Sequence, residues 1–157
     1  MKILALDQAT NKTGVAVFEN KKLKKYYIID LSKIKSSAEQ RINEMMIEIN
    51  KTIEKERPDV VIFEGVAYQS NAQTLIKLAR LQGSIIYYCI SNNYNYTIIT
   101  PNDWRSCLSF IQGKGCKREF LKNQAILYVK VKYKKDVTDD EADAICIGTA
   151  YILKNKI

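Results

Sequence analysis

Four carboxylates in this chain sit where an apolar run stops or a helical pattern begins. Asp7 follows the run from Ile3 to Leu6, Glu64 follows Val60 to Phe63, and Asp140 with Asp143 opens the last helical stretch. Ligands of open α/β sheets gather outside strand ends, so acids at two strand ends and one helix start can converge on one crevice. At a spacing of i, i+3, Asp140 and Asp143 differ by about 60° around a helix of 3.6 residues per turn and face the same point. Glu141 is turned away from Asp143 by about 160°, and it fits a capping box with Thr138. Four carboxylates in one cleft repel one another, and without a cation at least one takes up a proton. Hard oxygen donors suit Mg²⁺ or Mn²⁺, and two such ions about 4 Å apart hold both the attacking water and the leaving oxygen of a phosphodiester. The plainer reading of each acid is a helix cap or a solvated turn.

Residues that are absent narrow the chemistry. The chain has no histidine, which excludes a Ser-His-Asp triad, a Cys-His pair and every zinc site that uses imidazole. Its four cysteines, Cys89, Cys107, Cys116 and Cys146, contain no C-x-x-C pair and read as reduced, mostly buried thiols. A charge at the seventh residue comes too early for a signal peptide, and no run approaches the roughly 18 apolar residues of a membrane span. The expected location is therefore the cytoplasm.

The elements that must position these acids follow from periodicity. At 157 residues the chain has room for one domain with a real core, and residues 1–157 read as such a domain. Apolar runs at Ile3 to Leu6, Gly14 to Phe18 and Leu23 to Ile29, with Asn11 and Asn20 in the gaps, predict a three-stranded meander. Ile42, Met45, Met46, Ile49 and Ile53 then recur at helical spacing, with Ser36 and Glu39 as a capping box and Pro58 as the stop. Val60 to Phe63 predicts a buried parallel strand. Residues 70 to 90 predict a helix with Leu75, Leu78, Ala79, Gln82 and Ile86 along one side, and Thr97 to Ile99 a strand before Pro101. Two helices, 117 to 132 and 139 to 154, complete the order βββαβαβαα; the last has Ala142, Ile145, Cys146, Thr149, Ala150 and Leu153 on one face. The fold class is α/β, a mixed five-stranded sheet flanked by helices.

Charge points to a polyanionic partner. The net charge is +8, and residues 114 to 135 carry eight basic residues against Glu119 alone, a net +7. Lysines beside an acidic pocket neutralise phosphates and offset repulsion between nucleic acid and the carboxylates, although a basic run is also what a solvated face looks like. Twenty lysines against five arginines, with abundant Ile and Asn, fit coding by an AT-rich genome, that of a low-GC bacterium or its phage.

Residues 4–14 (LALDQATNKTG), 63–83 (FEGVAYQSNAQTLIKLARLQG) and 140–151 (DEADAICIGTAY) resemble, in order, spacing and flanking residues, the motifs of the RuvC family of Holliday-junction resolvases. Residues 113–124 (GKGCKREFLKNQ) resemble that family's glycine-rich segment, so the resemblance covers essentially the whole chain. It implies an RNase H-like fold, a homodimer, a site with two Mg²⁺ ions for which Mn²⁺ substitutes, and paired cuts in four-way DNA junctions. By position it implies Asp7, Glu64, Asp140 and Asp143 as catalytic acids and metal ligands, and Lys117 as a helper at the scissile phosphate. Tyr68, Asn71, Arg80, Lys114, Lys117, Arg118 and Lys122 are the implied DNA contacts, with Lys77 on the same helix as Asn71 and Arg80. Two positions depart from the pattern: Ala9 stands where the family usually has glycine, and Ala67 where it often has an aromatic that stacks on a base, the aromatic here being Tyr68. A looser grip on the central bases, with more tolerance among branched substrates, is the expectation. Gly83 is expected to allow close helix packing and Trp104 to anchor the core. Whether a motor partner is needed is open. The alternatives are an RNase H-like nuclease on structured RNA of the YqgF type, a non-catalytic branched-DNA-binding module, and an actin- or sugar-kinase-type phosphotransferase. That last reading rests on D-x-x-T-x-x-T-G at Asp7 to Gly14, and it needs a second domain for which this chain is too short.

Overall fold

A computed structural model describes residues 1–67 and 71–157. Strand β1 (Lys2–Asp7) pairs antiparallel with β2 (Lys12–Glu19), and β2 with β3 (Lys22–Asp30). Helix α1 (Ala38–Glu56) leads to β4 (Val60–Glu64), which lies parallel to β1, and α2 (Ala72–Ser91) leads to β5 (Tyr96–Ile99), parallel to β4. The sheet order is β3-β2-β1-β4-β5, the expected mixed five-stranded sheet. Three helices finish the chain: α3 (Pro101–Cys107), α4 (Arg118–Tyr133) and α5 (Asp139–Lys154). Among the described residues no helix is long and apolar enough to cross a membrane.

Alternation along the strands divides the interior into two layers. Ile3, Ala5, Ala16, Phe18 and Ile62 face α3, α4 and α5, where they pack with Trp104, Ala125, Val129 and Ile145. Leu4, Leu6, Val15, Val17, Val61 and Phe63 face α1 and α2. All five apolar positions read for α1 are buried. Its capping box is one residue later than expected: Ser37 caps with Gln40, while the Ser36 hydroxyl donates to Glu44. On α2 the buried line is Leu81, Ile85 and Cys89, one row away from the expected side, and Ala79 is exposed. On α5 nearly every residue from Ala142 to Ile152 is buried, because the helix lies between the sheet and α4, and Leu153 projects outward.

Helix α3 is absent from the sequence expectation. Seven residues are too few to show a periodicity, but the local start signals are present: Thr100 caps the Asp103 amide and Pro101 occupies the first turn. Cys89 and Cys146 are buried, Cys107 and Cys116 only partly so, and all four thiols are free. Gly83 does not serve a close packing contact among the described residues, since a methyl group built there meets no atom within 4 Å beyond its own helix backbone. The tight glycines are Gly14, whose α-carbon lies under the Asp140 carbonyl, and Gly148, which faces the Phe18 ring. They let α5 lie flat on β1 and β2.

Candidate active site

Parallel pairing of β1 and β4 places Leu6 beside Phe63, so Asp7 and Glu64 emerge side by side from the C-terminal ends of adjacent strands. Asp7 also stands opposite Gly14, the glycine on which the first turn of α5 is seated. That seat brings Asp140 and Asp143 to the same place. The four acids line one cleft of about 700 Å³, whose rim includes Gln8, Ala67, Lys77, Arg105, Arg118 and Lys122. Glu141 is held back by its capping box with Thr138, as its helical angle predicts.

The electrostatics are those of crowded like charges. Loss of water pushes the Asp7 carboxyl well above its ordinary range, and Asp143, Glu64 and Asp140 push it further. Asp143 is pushed up to about 7, by burial first and then by Glu64. Asp140 is raised by partial burial and by Asp139. Glu64 is raised by burial, against a hydrogen bond from Trp104 and the charge of Arg105. Without a counter-cation this site therefore holds protons near neutrality.

The four acids offer carboxylate oxygens, which fit a hard divalent cation; the Cys116 thiol also lines the cleft, and sulfur is a soft donor that does not suit such an ion. Among the described residues no three of these acidic side chains are already closed into a metal-binding group. They line an open cleft, and Asp7, Glu64, Asp140 and Asp143 are the ones that would hold the ion.

Three residues that the sequence did not single out for this site shape it. Gln8, buried directly after Asp7, donates from Nε2 to the Glu64 carbonyl at 2.5 Å and accepts from the Glu64 amide at 3.2 Å. Its side chain thus continues the β1–β4 ladder past the end of β1. Trp104 is fully buried, as expected of a core anchor, and its indole N–H also donates to Glu64 Oε1 at 2.7 Å. Arg105 lines the cleft with its guanidinium 4.9 Å from the centre of the Trp104 ring, and its buried Nε has no hydrogen-bond partner among the described residues.

The expected DNA contacts separate in the structure. Arg118 and Lys122 line the cleft, and Lys122 pairs with Asp139, whose carboxyl that contact lowers. Lys117 occupies the N-cap position of α4 without a side-chain capping bond and, like Lys114, is exposed and not part of the cleft wall. Asn71 caps α2, accepting from the Gln73 and Thr74 amides, while Arg80 reaches Glu39 on α1 at 3.4 Å, away from the acids. Tyr68 lies outside the described residues. Ala67, its neighbour, is exposed on the cleft rim.

Residues 3–151 match the family model described as crossover junction endodeoxyribonuclease RuvC. The chain belongs to the RuvC family. The family member of Caldicellulosiruptor saccharolyticus is 27% identical over 159 residues, covering 99% of this chain and 94% of the relative. That of Dictyoglomus turgidum is 31% identical over 120 residues, covering 74% of this chain and 72% of the relative. Among solved structures, Thermus thermophilus RuvC in complex with Holliday junction substrate superposes with a TM-score of 0.79 at 14% identity, covering 99% of this chain and 95% of that one. The fowlpox virus resolvase in complex with Holliday junction DNA gives 0.66 at 18% identity, covering 100% and 99%. The RuvC family's RNase H-like architecture is thus present from β1 to α5.

Proposed function

We propose that this RuvC-family chain is a structure-selective endonuclease that resolves four-way DNA junctions by hydrolysing phosphodiesters, in paired nicks made by a homodimer. The observation that carries the reading is the meeting of Asp7, Glu64, Asp140 and Asp143 in one cleft, in a chain whose family model is that of a crossover junction endodeoxyribonuclease. Two Mg²⁺ ions, or Mn²⁺ in their place, would be held by the four acids and would supply Lewis acidity at the scissile phosphate. Burial raises both Asp7 and Asp143, with Asp143 adding to the shift of Asp7 and Glu64 to that of Asp143, so bound cations would favour the ionised form of both carboxyls. Gln8 and Trp104 hold Glu64 in place, one by its backbone and one by a single carboxylate oxygen, so that Glu64 would be positioned to help hold the cation. Arg105 presents a positive charge in the wall of the cleft, where a phosphate would meet its guanidinium. Lys114, Lys117 and Arg118, at the start of α4, stand where the flanking backbone would pass.

The test is cleavage of a synthetic four-way junction with Mg²⁺, run beside linear duplex DNA, structured RNA and ATP. Paired cuts in the junction alone are expected. Glu64→Gln and Asp7→Asn should each lower cutting by at least about a thousandfold while junction binding stays within a few-fold, since one ligand is lost and one negative charge facing DNA is removed. Cutting within a few-fold of wild type would sink the assignment, and cleavage of RNA in preference to the junction would replace it.

A further inference from the structure

A second concentration of positive charge lies at the far end of the sheet. Lys2 and Lys22 both stand opposite Glu19 in the strand register, whereas Asp7 stands opposite Gly14, so the β2–β3 turn is at the other end from the acids. There Lys21, Lys22, Lys24 and Lys135, with Leu23, Tyr26 and Tyr133, line a concavity of about 400 Å³ that has no acidic side chain in its wall. Among the described residues none of these four lysines takes part in an ion pair. Two lysines here hold left-handed backbone, Lys21 in the wall of the concavity with φ 69° in the hairpin turn and Lys134, outside the wall between Tyr133 and Lys135, with φ 56° at the end of α4. Glycine or asparagine would meet those conformations at lower cost, so at both turns the chain keeps a cation at a steric cost. Four ammonium groups around one hollow repel each other, and a polyanion relieves that repulsion.

Helix α4 connects this hollow to the cleft. Arg118 at its start lines the cleft and Tyr133 at its end lines the hollow. Sixteen residues at 1.5 Å each span about 24 Å, which is the length of about seven base pairs at 3.4 Å per step. Between them Lys122 and Lys130 are paired with Asp139 and Asp136, and Lys132 rests over the Tyr128 and Tyr133 rings, so the contacts lie at the two ends of the helix. We infer that this hollow binds backbone phosphates of one duplex arm about seven base pairs from the point of cleavage, so that α4 serves as a rail between two phosphate contacts. The inference rests on the junction reading above and extends its footprint.

The experiment combines a quadruple variant, Lys21→Gln, Lys22→Gln, Lys24→Gln and Lys135→Gln, with junctions carrying neutral methylphosphonates in pairs at successive positions along each arm. Binding is measured without divalent cation. For wild type, neutral linkages six to eight base pairs from the cut should weaken binding by about three- to tenfold on one arm. The quadruple variant should be indifferent to them, and its salt slope should flatten by up to about 3.6, or 0.9 per phosphate. Replacing the same four lysines by arginine should restore both sensitivities. Equal sensitivity in wild type and the glutamine variant, or none in wild type at any position from five to nine, would overturn the arm contact. Neutral linkages flanking the cut serve as the control for the underlying reading: they should weaken both proteins alike, and their failure would count against the junction assignment rather than the rail.

Discussion

Glu64 is the acid whose position the surrounding residues fix most completely. Gln8 holds its backbone on both sides, and Trp104 holds one carboxylate oxygen from a fully buried ring. A hydrogen bond to a charged group contributes about 1.5–3 kcal/mol, so losing it frees Glu64 to leave its place between the other acids. Trp104→Phe retains an aromatic ring for the edge-to-face contact with Phe110 and removes the N–H donor. The expected result is a fall of about tenfold in kcat with unchanged junction affinity. Trp104 is the chain's one tryptophan, so its emission also reports on Glu64: Mg²⁺ should alter it in wild type and not in Glu64→Gln. Emission that ignores Mg²⁺ at millimolar concentration, together with a wild-type kcat for Trp104→Phe, would show that the indole only fills space. The acids themselves were legible because each ends a strand or begins a helix. Gln8, Trp104 and Arg105 were not, because they reach Glu64 across separations of 56 residues for Gln8 and 40 for Trp104, which close only through the β1–β4–β5–α3 order.

Helix α5 carries half of the acids, and two glycines set its height above the sheet. A methyl group on Gly14 would run into the Asp140 carbonyl, and one on Gly148 into the Phe18 ring. Overpacking of this kind costs about 1–3 kcal/mol, and at about 2–4 °C per kcal/mol each alanine variant should melt roughly 2–12 °C lower. Their effects on cutting should differ. Gly14→Ala lifts the first turn, where Asp140 and Asp143 sit, and should slow cleavage at least tenfold beyond any loss of folded protein. Gly148 lies eight residues past Asp140, about 12 Å along the helix axis, and Gly148→Ala should leave cleavage per folded molecule within about threefold. Equal cleavage by the two variants would mean that the seat of α5 on β2 does not set the acids. The helix was readable as an element, with its capping box and its apolar positions from Ala142 to Ala150, though Leu153, read on the same face, is exposed. Its near-complete burial was not, because a one-sided apolar stripe in the sequence does not announce the second neighbour, α4, that covers the opposite side. The same limit applies to α2, where Leu78 and Leu81 belong to adjacent rows and only the tertiary partner α1 decides which row is buried.

At the scale of the molecule, paired cuts require two sites held in a fixed relation, and the outer surface of α2 offers the means. Ile76, Arg80, Gly83, Tyr87 and Ile90 follow one another at intervals of four, three, four and three, the spacing of a helix–helix seam. Three of them are large apolar side chains left exposed, Ile76 at 41%, Tyr87 at 73% and Ile90 at 61%, and the open Gly83 between them leaves a notch that another helix can enter. In a homodimer Gly83 would pack against the partner's helix rather than against an element of its own chain. The α2 helix of a second copy would present the same stripe, and a two-fold axis would set the notch of one copy beside the tyrosine ring of the other. Tyr87→Glu with Ile90→Glu places four like charges in that seam and should convert a dimer into a monomer, as read by light scattering at micromolar concentration. The cleft touches only the first turns of α2, at Thr74, Lys77 and Leu78, whereas Tyr87 and Ile90 lie in its last turns, so the monomer keeps its four acids and should still nick. On a supercoiled plasmid bearing a cruciform, wild type should give linear product from coordinated cuts, and the double variant should give nicked circles. A wild type that is monomeric throughout, or a double variant that remains dimeric and still linearises the plasmid, would place the pairing surface elsewhere on the molecule.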